Sequence, residues 1–240
     1  MDFTLSQIAI FAGCSSLTSL TIPSGVTGFN HLCFSGCDSL TAFIVDAANS
    51  AFSSVNGVIY NKNQTQLVLC PCGYQGAFPV PSTVTGICAY AFYGCKGLTL
   101  ITIPDSVEWI SNGAFSGCSG LTGVSIPNDQ TVIGPETFSG CASLASITIP
   151  NSVTNIGEYA FRSCSSLTSI TIPDSVTEIG LGAFYKSGLT GITIPNSVTS
   201  SIISNWYQML GKVKYLGFCG DIIQWKNDDE KRTTPRRAIP

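Results

Sequence analysis

The amino-acid sequence repeats itself every 23 residues over most of its length. The clearest copy is V-T-N-I-G-E-Y-A-F-R-S-C-S-S-L-T-S-I-T-I at residues 153–172. Successive copies carry a cysteine at the same point, and these cysteines are Cys14 and Cys37, then Cys95, Cys118, Cys141 and Cys164. A fixed period of this size is typical of stacked supersecondary units, each of which buries its apolar side against its neighbours. The chain is therefore predicted to form a solenoid whose core is spread along one axis.

The apolar residues of each copy keep fixed distances from the cysteine. In the copy around Cys164 they are Val153, Ile156, Ala160, Phe161, Leu167, Ile170 and Ile172. A phenylalanine three residues before the cysteine position recurs as Phe11, Phe34, Phe92, Phe115, Phe138, Phe161 and Phe184. Side chains that recur with the period of a stack occupy the same place in every turn. The phenylalanines are therefore predicted to form one interior column of rings along the whole stack.

Each copy ends in a β-branched segment of alternating pattern, such as T-S-I-T-I before Pro173. This composition predicts a short strand that ends at the proline, because proline cannot donate a ladder hydrogen bond. Eight such strands are predicted to form one continuous parallel sheet, at Leu20–Ile22, Phe43–Val45, Phe78–Val80, Ile101–Ile103, Val124–Ile126, Ile147–Ile149, Ile170–Ile172 and Ile192–Ile194. A second extended piece, such as V-T-E-I-G at 176–180, and a compact helical turn in A-F-x-x-C are predicted to complete each turn.

The repeat is interrupted once and is lost towards the C terminus. The spacing between Cys37 and Cys95 is 58 residues, which is two periods of 23 plus 12 more. The extra sequence G-V-I-Y-N-K-N-Q-T-Q-L-V-L predicts an inserted β-hairpin near residues 46–77, which either carries binding or merely covers an edge. We therefore predict a solenoid over 1–198, a C-terminal cap over 199–225, where new aromatic residues appear, and a flexible charged tail over 226–240.

Charge and hydropathy exclude several classes of protein. Residues 1–211 hold 4 basic and 10 acidic side chains, a net charge of −6, so a basic stripe for nucleic acid is not expected. No apolar run approaches the roughly 18 residues that a membrane-spanning helix needs. No secretory signal peptide is recognised, because Asp2 follows Met1 where a basic region is expected.

The sequence contains no pattern that predicts catalysis or metal binding. The G-x-S-x-G, H-E-x-x-H and Gly-Lys-Ser/Thr motifs are all absent from it, so we predict no enzyme, no catalytic residues and no cofactor. The chain has 11 cysteines but one histidine, His31, and the close cysteine pairs Cys33/Cys37 and Cys70/Cys72 lack a second pair at ligand spacing. We therefore predict no metal site. The repeated cysteines are expected to be reduced, buried thiols that pack as small apolar groups.

The motif A-F-x-x-C-x-x-L-T-x-I-x-I-P-x-S-V-T-x-I-G, as found at 160–180, resembles the BspA-type leucine-rich repeat. The inserted N-G-V-I-Y-N-K-N-Q-T is similar to a hairpin found between repeats of that family. The resemblance implies an α/β fold: a right-handed solenoid with a parallel sheet on its concave face and short helical turns or extended pieces elsewhere. It also implies a cell-surface or secreted protein, of a bacterium or a protist, that adheres to proteins of a host or a neighbouring cell.

The strand residues that alternate with the apolar ones are predicted to face outward on the concave side, where they are small and rich in hydroxyl groups. The predicted binding residues are Thr102, Ser125, Thr148, Thr171 and Thr193. The expected ligand is a protein or a glycan. Threonine also recurs simply because it favours strands, so the pattern leaves a purely structural role open. The alternative function is a scaffold that associates with itself through the ends of the solenoid; the sequence does not indicate the oligomeric state.

Overall fold

The computed structural model describes residues 11–198 in full, together with the backbone of three further strands at 3–5, 213–219 and 222–227. The strands, numbered in chain order, are β1 Phe3–Leu5, β2 Ser19–Ile22, β3 Val26–Phe29, β4 Ala42–Val45, β5 Phe52–Val55, β6 Val58–Asn61, β7 Gln66–Leu69, β8 Gln75–Pro79, β9 Gly86–Ile87, β10 Gly97–Thr102, β11 Trp109–Ile110, β12 Gly123–Val124, β13 Val132–Ile133, β14 Asn155–Ile156, β15 Glu178–Ile179, β16 Gly191–Ile194, β17 Val213–Cys219 and β18 Ile222–Asn227. One 3₁₀ helix, His31–Phe34, occurs among the described residues.

These strands form a solenoid of about seven turns, in which each turn contributes to two series of short strands. The first series comes from the T-x-I-x-I-P segments and contains the parallel sheets β2-β4 and β12-β10-β8. The second series comes from the V-T-x-I-G segments and contains the parallel pairs of β13-β14-β15. Paired residues such as Leu100 and Gly123 are one repeat apart in sequence, so the 23-residue period is the register of the sheets.

The prediction of one continuous sheet of eight strands is wrong. The sheet ends at the insertion, because the backbone N–H of Phe43 in β4 donates to Gly57 O at 2.9 Å and not to the next repeat. Residues 147–149 and 170–172 form no ladder, although Ile147, Ile149 and Ile172 are buried as predicted. Apolar alternation fixes which side chains face inward, but it does not fix the close backbone spacing that a ladder requires.

The insertion forms three antiparallel strands, β5, β6 and β7, which extend the second series through the pairing of β7 with β9. Asn56 and Gly57 close the first hairpin with φ values of 51° and 79°, as a tight turn between twisted strands requires. Alternation along β6 places Ile59 in one core cluster and its neighbours Val58 and Tyr60 in the other. The insertion therefore divides the hydrophobic core into two clusters.

The aromatic column is also divided at the insertion. Phe11 stacks on Phe34 with ring centroids 5.6 Å apart. A second stack, with centroids 5.3 to 5.6 Å apart, contains Phe92, Phe115, Phe138, Phe161 and Phe184. Between the two stacks, the position three residues before Cys72 is held by Leu69. The prediction of one unbroken column is therefore wrong, and its interruption coincides with the turn that lacks the phenylalanine.

The repeated cysteines from Cys37 onward are buried, as predicted, whereas Cys14 is exposed, so the prediction is wrong for that residue. Three of the buried thiols show which partner the column uses. Cys118 Sγ donates to Phe92 O at 3.0 Å, Cys141 Sγ to Phe115 O at 3.3 Å and Cys164 Sγ to Phe138 O. Each acceptor is the carbonyl of the phenylalanine in the preceding turn. The cysteine column is thus a ladder of S–H···O=C bonds that joins successive turns.

A second ladder is formed by serine hydroxyls. Four serine hydroxyls each donate to a backbone carbonyl of the preceding turn, at 2.6 to 2.9 Å. The pairs are Ser106 with Val84, Ser152 with Gln130, Ser175 with Val153 and Ser197 with Val176. At two positions where this serine is missing, Ala48 and Asp129, the next residue is a buried amide. Gln130 Nε2 donates to Val107 O at 3.2 Å, and Asn49 Nδ2 donates to Val26 O at 2.9 Å. The amide therefore replaces the hydroxyl as the donor to the same type of carbonyl.

The segments A-F-x-x-C are hydrogen-bonded turns, and the described part of the chain contains no α-helix. Cys118 N donates to Phe115 O at 3.1 Å, three residues back. Gly113 precedes this turn and Gly117 lies within it, with φ values of 64° and 77°, and left-handed residues so close together leave no room for a helix. The fold is therefore mostly β, and the α/β class expected from the resemblance is corrected.

The predicted division into solenoid, cap and tail stays a prediction. Of the proposed cap at 199–225, the structure describes the hairpin β17-β18, and β18 pairs antiparallel with β16, the last strand of the first series. Strand β18 runs to Asn227, past the predicted boundary at residue 225. Residues 228–240 of the predicted tail lie outside the described residues.

Candidate functional site

The outward side chains of the T-x-I-x-I-P segments form the surface that the sequence predicts as the binding site, and we call it the strand face. The predicted binding residues are all exposed: Thr102, Ser125, Thr148, Thr171 and Thr193. Their neighbours point the other way; Ile101 and Ile103, on either side of Thr102, are 1% and 5% exposed. The inward and outward positions are thus as predicted, whereas the role of the five residues in binding stays a prediction.

The five predicted residues lie on consecutive turns, one to a turn, because each is 23 residues from the next, except Thr193, which is 22 from Thr171. Thr102 and Thr193 lie within strands, and Ser125 follows β12 directly. Thr148 and Thr171 lie in segments without ladder hydrogen bonds. A hydroxyl group both donates and accepts hydrogen bonds, and none of these side chains carries a charge. The arrangement therefore offers a line of neutral, hydrogen-bonding groups.

The strand face becomes apolar towards the insertion. Ile44 in β4 is 53% exposed and Leu100 in β10 is 45% exposed, although both stand at outward positions. Leu100 pairs with Gly123 on one side and with Ala77 on the other, so small residues leave it prominent. The sequence did contain this signal, since Ile44 and Leu100 depart from the Ser/Thr pattern of the outward positions, but the binding prediction did not use it.

The tip of the inserted hairpin β6-β7 is the second candidate surface. Asn61 Oδ1 accepts from Thr65 N at 2.8 Å and from Gln66 N at 3.0 Å, which fixes the turn. Lys62 Nζ donates to Asn49 O at 2.6 Å and to Ala47 O at 3.3 Å. The ammonium group of Lys62 is therefore bound by the chain's own carbonyls, and this positive charge is less available to a partner.

An aromatic cluster that the sequence did not predict lies beside the A-F-x-x-C turns. The rings of His31 and Tyr90 stack with centroids 3.8 Å apart, and Tyr93 meets His31 edge-on at 6.1 Å. Burial lowers the pKa of His31, which favours the neutral imidazole. The pKa of Tyr90 is raised, mainly because the side chain is partly buried and secondly because the negative Glu136 carboxylate lies nearby. No local motif reveals this cluster, because the insertion separates His31 from Tyr90 in sequence.

Within the described residues, no group of three or more His, Cys, Asp or Glu side chains is arranged to hold a metal ion. The same part of the chain has no helix long and apolar enough to cross a bilayer. Among the described residues, the strand face, the hairpin tip and the aromatic cluster carry features that a partner could recognise.

Short parallel strands stacked at a fixed 23-residue period, with leucine and isoleucine directed inward, define the class of leucine-rich-repeat solenoids. The family model described as "BspA type Leucine rich repeat region" matches six copies over residues 4–67 and 77–214. The chain belongs to this family, as the resemblance of its repeat motif indicated. A comparison with curated protein sequences gave no match.

Three solved bacterial structures are similar to the chain. A leucine-rich cell surface protein from Faecalibacterium prausnitzii is 32% identical, with a TM-score of 0.66 over 80% of this chain and 50% of its own. The pneumococcal vaccine antigen PcpA is 24% identical, with a TM-score of 0.63 over 79% of this chain and 53% of its own. A leucine-rich repeat protein from Bacteroides ovatus is 27% identical, with a TM-score of 0.53 over 80% and 53%. The chain thus spans about half the length of these proteins.

Proposed function

We propose that the chain is a non-catalytic interaction module that binds a protein of a host or neighbouring cell through the strand face, which forms the concave side of the solenoid. The observation that carries the proposal is the line of exposed hydroxyl side chains on consecutive turns, at Thr102, Ser125, Thr148, Thr171 and Thr193. Buried neighbours fix several of its members on both sides, such as Ile147 and Ile149 around Thr148.

A rigid line of small groups suits an extended partner that crosses several turns. The side chains are short, so another backbone approaches closely, and each hydroxyl both donates and accepts a hydrogen bond. A surface that is ordered before binding loses little conformational entropy on association. The exposed Ile44 and Leu100 add apolar contact area at the end of the face nearest the insertion. Because the five hydroxyl residues are neutral, binding should depend weakly on ionic strength.

Location at the cell surface, or secretion, is part of the same proposal. It is supported by the similarity to the F. prausnitzii protein, which is described as a leucine-rich cell surface protein. A surface location would bring the strand face into contact with proteins of other cells. A glycan ligand is the other outcome that the hydroxyl groups allow, and the experiment below distinguishes it from a protein.

The test is binding of the purified chain to an array of extracellular-matrix and cell-surface proteins, with a glycan array measured in parallel. We expect saturable binding to a protein, and at least a tenfold loss with Thr148→Arg or Thr171→Arg, because a bulky charged side chain blocks close approach. Thr177→Arg is the matched control, since Thr177 is also an exposed threonine but belongs to a V-T-x-I-G segment. All three variants should melt at nearly the wild-type temperature.

Replacement of residues 62–65 with a short glycine-containing turn tests the competing surface, the hairpin tip. We expect this variant to bind as the wild type does. If the replacement removes binding while Thr148→Arg and Thr171→Arg do not, the hairpin is the recognition site. Binding to the glycan array alone would replace the protein ligand with a carbohydrate, and binding to neither array would contradict the proposed function.

A further inference from the structure

The turn that contains the insertion lacks the phenylalanine of the repeat, and a cysteine takes its place in the backbone. In the next turn, Phe92 N donates to Ala114 O, and the three following phenylalanines of the repeat donate in the same way. In the insertion turn, the N–H of Cys70 donates to the equivalent carbonyl, Ala91 O, at 2.7 Å. Cys70 therefore occupies the phenylalanine position of the repeat.

A shortened connection brings Cys70 to this position. Leu67 in β7 pairs with Ile87 in β9, so these two residues are equivalent. Cys70 follows Leu67 by three residues, whereas Phe92 follows Ile87 by five. Because the chain covers this part of the turn with two residues fewer, Cys70 reaches the position where other turns place a ring. Its side chain is only 1% exposed.

The thiol of Cys70 meets the thiol of Cys95 in the next turn. Cys95 is fully buried, and the two thiols share a hydrogen bond. Cys95 Sγ also donates to Pro71 O at 3.5 Å and to Cys70 O at 3.9 Å. The two turns are hydrogen-bonded beside these residues, through Cys70 N and Ala91 O. Adjacent hydrogen-bonded segments lie about 4.8 Å apart, which is a spacing that a disulfide bridges.

This contact differs from the contacts within the cysteine column. Cysteines of the column stand at one repeat position, so their side chains point the same way from successive turns, which is poor geometry for a disulfide. Their thiols donate to phenylalanine carbonyls, as Cys118 does to Phe92 O at 3.0 Å. Cys70 comes from a different repeat position. Its side chain therefore converges with that of Cys95, and their shared hydrogen bond is the result.

We propose that Cys70 and Cys95 form a disulfide that joins the insertion turn to the first regular turn after it. Each thiol loses one proton and one electron, and a sulfur–sulfur bond replaces two S–H bonds. An oxidant of the disulfide class, such as oxidised glutathione, accepts both electrons and both protons and leaves as two thiols. The bond closes a loop of 26 residues, 70–95, which contains β8 and β9.

The disulfide has to form while the chain folds. Burial raises the pKa of Cys70 well above its usual range, so the thiol of the folded chain is not ionised and is a poor nucleophile. Before the core closes, the same thiol is in contact with water and exchanges through its thiolate. Burial afterwards shields the sulfur–sulfur bond from external thiols. The disulfide is therefore a permanent structural link.

The link lies where the solenoid has lost another connection between turns. Ring stacking joins the turns on either side, but the insertion turn contributes no ring to the column. The two core clusters also meet in this turn, because Leu67 and Cys70 belong to one cluster and Leu69 and Cys72 belong to the other. A covalent bond here compensates for the missing ring. The inference concerns the core and not the proposed ligand, so either one can fail without the other.

The first experiment maps the disulfides of the refolded chain. The full chain is reduced, unfolded and refolded in a mixture of reduced and oxidised glutathione, and the remaining thiols are blocked with N-ethylmaleimide. Chymotrypsin cleaves after Tyr74 and Tyr93, which separates Cys70 from Cys95, and mass spectrometry identifies the linked peptides. We expect the linkage between Cys70 and Cys95 in most of the refolded molecules.

The matched control is Cys72→Ala, because Cys72 lies two residues from Cys70 and precedes Cys95 in the cysteine column. This variant should keep the linkage. Cys70→Ala should lose it, and N-ethylmaleimide should then modify Cys95 on unfolding. A refolded wild type that leaves Cys70 and Cys95 as thiols, or that links Cys95 to Cys72, would overturn the proposal.

A second experiment tests whether the disulfide fits the native fold. A closed 26-residue loop lowers the entropy of the unfolded chain, so the oxidised chain should melt about 5 °C or more above the reduced chain. The reduced chain is refolded with a phosphine reductant in place of glutathione, and circular dichroism follows both melts. Cys70→Ala should melt at one temperature under both conditions. An oxidised wild type that melts no higher than the reduced one would also overturn the proposal.

Discussion

A cysteine of the repeat serves as a small apolar side chain that also donates one hydrogen bond. Cys141 and Cys164 are fully buried, and each donates to a phenylalanine carbonyl one turn back. Burial raises the pKa of Cys164 to about 12 and raises that of Cys141 well above its usual range, because the thiolate cannot be solvated there. The protonated thiol is therefore the form that the folded chain requires.

This difference in pKa makes stability depend on pH in the alkaline range. The folded pKa of Cys164 is raised from 9.0 to about 12, so its contribution is fully present below pH 9 and is lost as the pH rises towards 12. Cys72, whose pKa burial also raises to about 12, acts in the same direction. We expect the melting temperature to fall continuously between pH 9 and pH 12. Thermal melts followed by circular dichroism measure this, and Cys164→Ala should reduce the slope.

Alkylation provides the matched check on the same thiols. Cys14 is exposed, whereas Cys118, Cys141 and Cys164 are fully buried. At pH 8, iodoacetamide should modify Cys14 in the native chain and reach the other three only after unfolding. Rapid native alkylation of these three, or disulfides among them detected by mass spectrometry, would show that the cysteine column is assigned wrongly.

At the scale of the element, a side chain of one turn donates to a backbone carbonyl of the turn before it. The acceptor is the carbonyl of the residue that follows the serine position, which is usually a valine. In most turns the donor is a serine hydroxyl, as Ser152 is for Gln130 O at 2.6 Å. In the turn where Asp129 replaces that serine, the next residue is Gln130 instead of valine, and its amide donates to Val107 O. The two departures from the repeat therefore compensate each other.

This compensation predicts a coupling between residues 129 and 130. Gln130→Val alone removes the donor to the Val107 carbonyl, and we expect it to cost about 1–3 kcal/mol, the cost of an unpaired buried polar group. Asp129→Ser/Gln130→Val restores the serine donor and should recover at least about 1 kcal/mol of that loss. Urea unfolding of the wild type, both single variants and the double variant measures the coupling. Strictly additive effects would contradict the account.

The insertion shows what a local pattern reveals about an element and what it does not. The turn residues and the apolar runs of β6 and β7 indicate strands and a hairpin from the sequence alone. The third strand, β5, has the composition F-S-S-V, without a strong apolar alternation, and it forms because β6 offers it an edge. The end of the first-series sheet at β4 depends on Gly57, whose carbonyl takes the hydrogen bond of Phe43. Such a contact depends on tertiary position and has no signature in the repeat.

For the whole molecule, the repeat period predicts the stacking direction, the inward residues and the family, because all three follow from the recurrence of single positions such as Phe161 and Cys164. It did not predict the mostly β character of the turns. The β character depends on residues with left-handed backbone conformation. The repeat does not mark these positions with glycine alone: one is Gly117, but others are Tyr159 and Ser163. Of the candidate surfaces, the exposed hydroxyls follow from alternation. The contact of His31 with Tyr90 does not follow from alternation, because the insertion lies between these two residues in the sequence and determines how far apart they are in the fold.

At the scale of the whole molecule, repeat positions divide into two groups: those that face inward hold the solenoid together, and those that face outward are free for recognition. Phe161 is fully buried and lies between Phe138 and Phe184, at 5.4 and 5.6 Å. Thr171 is exposed on the strand face. The most direct test is the urea unfolding free energy of Phe161→Ala and Thr171→Ala, measured side by side. We predict a loss of about 3–5 kcal/mol for Phe161→Ala and well under about 1 kcal/mol for Thr171→Ala; equal losses would contradict the division.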